Sequence, residues 1–235
     1  MSSTNRGAER NRDDFYATPA WVTLAILPHL DIRPNDREGF DALDPCCGDG
    51  AILDVLRAHG ATTFGIELDA DRAAEAIRRG HHVECADALT ASWPAVPLTI
   101  TNPPFSLAQE FVDRSLEAAR PLGTVAFLLR LAFLESAERA AFHKSNPSDV
   151  YVLANRPSYC AVVTCAANGK TGCGWTVTLP TDAERPKRCL ACGGKVKVTT
   201  SDSCAYAWFV WGPGRGGRIL VLDDTDPDKR RRGQR

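Results

Sequence analysis

The chain has no long apolar run: nowhere in its 235 residues do apolar positions approach the ~18–20 in succession that span a bilayer. A membrane-spanning helix is thereby excluded. Nor does the start, Met1-Ser2-Ser3-Thr4-Asn5-Arg6, carry the apolar stretch of a secretory signal, and a cytoplasmic protein is expected. Charge of one sign is missing too. Against 28 basic residues stand 29 acidic ones, a formal net charge of −1, so a nucleic-acid surface has to be a local patch. The nine cysteines, odd in number and scattered, make a poor disulfide framework and suit reduced thiols or a metal site. No internal repeat is visible. What remains, 44% hydrophobic and 24% charged, is the balance of a globular chain with one substantial core, and it excludes disorder as the main state.

Short apolar runs alternate with helical patterns. Asp41–Pro45, Thr62–Glu67, His82–Cys85, Leu98–Thr101, Thr124–Leu129 and Val150–Ala154 read as strands. Most are continuous rather than alternating, as in a mostly parallel sheet covered on both faces. Ala51–His59 closed by Gly60, Ala70–Arg79 closed by Gly80, and Ala108–Arg120 ended by Pro121 are helices with stop signals. Ahead of the first strand, Thr18 and Pro19 supply an N-cap and a first-position proline for a helix over Ala20–Leu30. The expected fold is a doubly wound α/β domain. After the sixth strand, Cys160–Lys197 is rich in Cys, Gly, Thr and Pro with no helical period, and is expected as an insert. The aromatic run Ala205–Trp211 would pair with the sixth strand, placing the insert on a hairpin tip, and Arg218–Leu222 would be a last short strand. The main domain then takes residues 1–159 and 204–223, the insert 160–203, and a charged tail 224–235 whose Lys229–Arg232 run adds nonspecific affinity at most.

Asp44-Pro45-Cys46-Cys47-Gly48-Asp49-Gly50 joins the first strand to the first following helix, where glycines let a ligand approach backbone N–H groups. A dinucleotide fingerprint needs a third glycine where Leu53 stands, so an adenosine-bearing ligand without a pyrophosphate fits better. Nineteen positions after Gly48, at a strand end, Glu67 can accept both hydroxyls of a ribose, and Asp87 can accept from an adenine amino group. Asn102-Pro103-Pro104-Phe105 directly follows the central run Leu98–Thr101. The prolines offer no N–H, so the Asn102 side-chain oxygen and the Pro103 carbonyl can grip both hydrogens of an exocyclic NH2 group, localising its lone pair for attack. Phe105 supplies a stacking wall.

On these motifs the chain resembles the S-adenosylmethionine-dependent amino-methyltransferases, and most closely the DNA adenine-N6 enzymes, including small phage-type ones. The likeness covers residues 13–160 and 204–212. It implies a class I (Rossmann-like) methyltransferase fold with a mostly parallel sheet and an antiparallel last strand. It implies Asp44, Cys46, Gly48, Glu67, Asp87 and Asn102 around S-adenosylmethionine, with Tyr16 and Thr18 in a segment closing over the methionine moiety. Asn102, Pro103, Pro104 and Phe105 would be catalytic, and Tyr159 either a second stacking face or an anchor for the insert. The implied reaction is direct in-line methylation of adenine N6 on a base flipped out of double-stranded DNA, in a restriction-modification or phage setting. No nucleophilic cysteine is needed, and Cys46 and Cys47 are small pocket-lining residues.

Cys189-Leu190-Ala191-Cys192-Gly193-Gly194 is a knuckle, and Cys165 with Cys173 can complete a four-thiolate structural zinc ribbon, Cys160 being an alternative upstream ligand. Lys170, Arg185, Lys187, Arg188, Lys195 and Lys197 would let this ribbon contact phosphates, with Lys187 and Arg188 foremost. RNA guanine-N2, protein-glutamine and DNA cytosine-N4 methyltransferases, which also act on planar NH2 nitrogens, stay open as alternatives, as does a noncatalytic zinc-ribbon nucleic-acid-binding module. The sequence leaves monomer and dimer equally open.

Overall fold

The computed structural model describes residues 17–32, 39–119, 123–157, 160–166, 172–180, 186–199 and 204–222. Among them, continuous apolar runs do form the strands. β1 (Phe40–Asp44), β2 (Ala61–Glu67), β3 (His82–Cys85), β4 (Leu98–Thr101) and β5 (Thr124–Arg130) pair in parallel in the spatial order β5-β4-β1-β2-β3. β4 is buried at every position, because helices cover both faces. The helices are α1 (Ala20–Ile26), α2 (Ala51–Ala58), α3 (Ala70–Arg78), α4 (Ala108–Ala118) and α5 (Ala140–Ser145).

The next strand, β6 (Asp149–Leu153), does not pair with β5. Three short strands intervene in sequence, β7 (Cys160–Cys165), β8 (Thr176–Pro180) and β9 (Val196–Thr199), which make a separate antiparallel sheet in the order β8-β7-β9. The chain then returns as β10 (Tyr206–Trp211), wedged between β5 and β6 and antiparallel to both. β11 (Ile219–Leu222) closes the edge, parallel to β6. The antiparallel strand is therefore the penultimate one rather than the last, and it pairs with the fifth strand as well as the sixth. Its composition explains the central place: all six residues are buried, with Tyr206, Trp208 and Val210 in the core on one face and Ala207, Phe209 and Trp211 on the other. Both indoles find acceptors, Trp208 Nε1 on the Val22 carbonyl and Trp211 Nε1 on that of Asn146, each at 3.0 Å.

α1 departs from expectation at its start. Pro19, with an extended ψ of 137°, occupies the cap position itself and no side chain caps the helix. Thr18 stands one residue before the cap, and its hydroxyl accepts from a side chain elsewhere, as described below. The helix also ends sooner, at Ile26, passing into a 3-10 turn over Leu27–His29. The tail 224–235 lies outside the described residues.

Candidate active site

Every candidate group at the ends of β1 to β4 is placed by a short connection. Where β1 turns into α2, Gly48 and Gly50 take left-handed φ values of 54° and 92°, and a Cβ on Gly50 would fall 2.9 Å from the His81 ring. The loop is tied to β2 twice. Cys47 N–H donates to the Ile66 carbonyl at 3.1 Å, and Gly48 N–H donates to Glu67 Oε2 at 2.9 Å. Glu67 Oε1 accepts from the Asp69 N–H at 2.9 Å and from Arg72 Nε and Nη2 at 3.1 and 3.0 Å. Glu67 thus anchors the glycine loop while also lining the cleft.

Asp44, 1% exposed, accepts the Thr101 hydroxyl at 2.6 Å and the Cys46 N–H at 3.0 Å on one oxygen. Burial pushes its carboxyl up to about 7, against the pull of those two hydrogen bonds and with the Glu67 charge adding to the rise. Burial first, and then the charges of Asp44 and Glu67, raise the Cys46 thiol well above the ordinary thiol range, and Cys47 is raised by the same causes. Neither thiol is a nucleophile at neutral pH. At the end of β3, Asp87 is exposed, and its Oδ1 accepts the Leu89 N–H at 2.9 Å.

The tetrad follows β4. Asn102 Nδ2 donates to Thr18 Oγ1 at 3.1 Å, a bond between residues 84 apart in sequence that fixes the amide plane. Pro103 is buried, while Asn102, Pro104 and Phe105 are half-buried. The Phe105 ring lies 5.7 Å from that of Tyr206, and the Arg130 guanidinium sits 4.6 Å above its centroid.

Together these residues border one cleft of about 1000 Å3. Asp44, Cys46, Glu67 and Asp87 line it along with Asn102 and Phe105, as do Thr18 and Pro104. Gly48 contributes instead through its bond to Glu67, and Pro103 from beneath the surface. Tyr16 and Tyr159 lie outside the described residues. The two arginines that line the cleft, Arg72 and Arg130, have no role assigned from sequence. Arg72 could have been found by its place in the first turn after Glu67, whereas nothing in the sequence says which ring Arg130 meets.

In the small sheet, the Sγ atoms of Cys165, Cys173, Cys189 and Cys192 all lie within 4.8 Å of one another, and among the described residues no other such group of His, Cys, Asp or Glu occurs. Cys165–Cys192 and Cys173–Cys189 approach to 3.5 Å, which is contact distance and not a disulfide. A tetrahedral zinc with ~2.3 Å bonds to sulfur separates its ligands by roughly 3.8 Å, so the donor set fits that ion. The knuckle is built by backbone bonds, Gly193 N–H to the Cys189 carbonyl at 2.8 Å and Cys189 N–H to the Gly194 carbonyl at 2.9 Å. Lys187, Arg188, Lys195 and Lys197 are exposed on this unit, Arg188 Nη1 donating to the Gly193 carbonyl at 3.1 Å. Lys170 and Arg185 lie outside the described residues.

A family model described as methionine biosynthesis protein MetW matches residues 29–91, which carry the glycine loop, Glu67 and Asp87. No curated protein matches the sequence. Among solved structures, a protein of Listeria monocytogenes assigned to the class I S-adenosylmethionine-dependent methyltransferases superposes with a TM-score of 0.57 at 14% identity, over 90% of this chain and 67% of the other. An Agrobacterium tumefaciens protein assigned as an O-methyltransferase gives 0.52 at 14% identity, over 86% and 84% of the two chains. The 23S rRNA methyltransferase ErmE gives 0.52 at 15% identity, over 86% and 71%.

Proposed function

The chain has the class I methyltransferase fold, and from that premise we propose that it transfers a methyl group from S-adenosylmethionine to the N6 amino group of adenine in DNA. The observation that carries this reading is the Asn102 amide, pinned by Thr18 at the wall of the cleft that also holds Asp44, Glu67 and Asp87. With its nitrogen donating to Thr18, the amide would use its oxygen to accept from a substrate NH2.

The cleft suits the cofactor in size and donors. Its volume matches the ~300–1,000 Å3 of small-molecule sites, and its floor carries a buried carboxyl at Asp44 that a cationic ligand would help to ionise. Glu67 would hold the ribose and Asp87 the adenine. When bound, S-adenosylmethionine supplies an electrophilic methyl carbon. The chain's part is to position: Asn102 and the Pro103 carbonyl accept the two amine hydrogens, which localises the lone pair, and Phe105 supplies an apolar wall for the ring. Zinc, held by Cys165, Cys173, Cys189 and Cys192, would fold the small sheet, whose Lys187 and Arg188 would contact phosphates of the duplex.

RNA is the second reading, favoured by the likeness to an rRNA methyltransferase. One assay separates them. Purified chain, methyl-labelled S-adenosylmethionine and DNA, RNA or protein, followed by digestion, should place label on N6-methyladenine from DNA. Asn102→Ala should lower the rate at least about a hundredfold. Label in another polymer, or a fully active Asn102→Ala protein, overturns the proposal.

A further inference from the structure

Among the described residues, Tyr206 makes a ring contact and Arg130 a cation–π contact with Phe105, and the two differ in burial. Tyr206 is 1% exposed and packed in the core, so displacing it would open a cavity. Arg130 is exposed, with its guanidinium 4.6 Å above the ring centroid, within the reach of a cation–π contact. Arg130 is the last residue of β5, directly opposite Tyr206 in the β5–β10 pairing, and it lines the cleft beside Asn102 and Phe105. A planar ring laid on Phe105 from the cleft needs the place where the guanidinium lies.

The second cleft arginine is committed differently. Arg72 makes two bonds to Glu67, the candidate ribose acid. Arg130 stands at the tetrad end, where a substrate and not a cofactor would enter. A guanidinium stacks on rings and forks onto phosphate oxygens with equal ease, and a phosphate is the anion that accompanies every base of a polynucleotide.

Resting on the amino-methyltransferase reading, we infer that Arg130 is a substrate-positioning residue for a nucleotide phosphodiester: it covers the Phe105 face, yields that face to the incoming base, and pairs with a phosphate of the same strand. Base and cation thus exchange places. The substrate class this selects is a polynucleotide rather than a protein amide, because a glutamine side chain brings neither a ring to displace the guanidinium nor an anion to receive it.

The test uses the full chain, unmethylated duplex DNA several kilobases long, and Arg130→Ala and Arg130→Lys. Arg130→Ala should raise the KM for DNA about tenfold with the KM for S-adenosylmethionine unchanged, and should lower the slope of log affinity against log salt by about one. Arg130→Lys should restore the slope while leaving the KM raised, since an ammonium keeps the charge but not the planar stack. An unchanged KM and slope in Arg130→Ala, or equal rises for both substrates, overturns the inference while leaving the methyltransferase reading intact. If RNA proves to be the polymer, the same shifts are expected with RNA. Transfer to protein alone overturns the phosphate role, and a wild-type chain that neither binds S-adenosylhomocysteine nor transfers methyl to any polymer overturns both readings.

Discussion

Two buried aspartates respond to pH in opposite senses. Asp44 keeps its proton up to about 7 when folded, against an ordinary value of 3.8. The folded state therefore binds the extra proton between those values, and stability falls as pH rises through that window, by roughly 4 kcal/mol at full effect. Asp44→Asn should raise the urea midpoint at pH 8 and leave it unchanged at pH 4. At Asp149, burial alone would raise the pKa, but Arg218, the N–H groups of Gly216 and Arg218, and Arg215 hold it down to about 2. Its contribution is present above the ordinary value of 3.8 and is lost as pH falls toward 2, roughly 2 kcal/mol in all. Asp149→Asn should lower the midpoint at pH 7 and flatten the acid limb below pH 4. At this scale the sequence was legible in part. Asp44, Glu67, Asp87 and Asn102 stand at strand ends and do border one cleft. The engagement of Thr18 by Asn102 was not legible, because a hydroxyl that suits a helix cap equally suits an amide 84 residues away.

Among the elements, the small sheet packs chiefly on itself, β7 against β8 and β9. With so little apolar surface, a metal is what would hold it. One zinc per chain should be found by mass spectrometry under native conditions. Cys189→Ser should lose it and weaken DNA binding, while the thermal transition of the main domain stays in place. A main domain that melts together with the sheet would show that the two are one cooperative unit. The four thiols were legible by spacing, since a knuckle and an upstream pair have little else to do in a segment without helical period. Two features of the main sheet were not. α5, six residues long, is too short to show a period, and the position of β10 depends on pairing with residues about eighty positions earlier, such as Phe127 with Phe209.

For the whole molecule, the central question is what the cleft holds. A ligand that binds only the folded chain stabilises it by about 2.7 kcal/mol at a hundred times its Kd, which for a chain of this size lifts Tm by roughly 5–10 °C. S-adenosylhomocysteine should do so, and Glu67→Ala should abolish the shift by loosening both the ligand and the Gly48 loop. The doubly wound class was readable from alternation alone, since continuous apolar strands separated by helices with stop signals admit few other layouts. No described helix is long and apolar enough to cross a membrane.

The wedged position of β10 also sets an order of events during synthesis. Both neighbours of β6 in the sheet, β10 and β11, come later in the chain. As the polypeptide leaves the ribosome, β5 and β6 emerge with bare backbone edges, and they stay bare until the cysteine-bearing segment has been made and Tyr206–Trp211 follows it out. A nascent chain halted within that segment would carry two open strands and would lack the six side chains of Tyr206–Trp211 that fill both faces of the sheet.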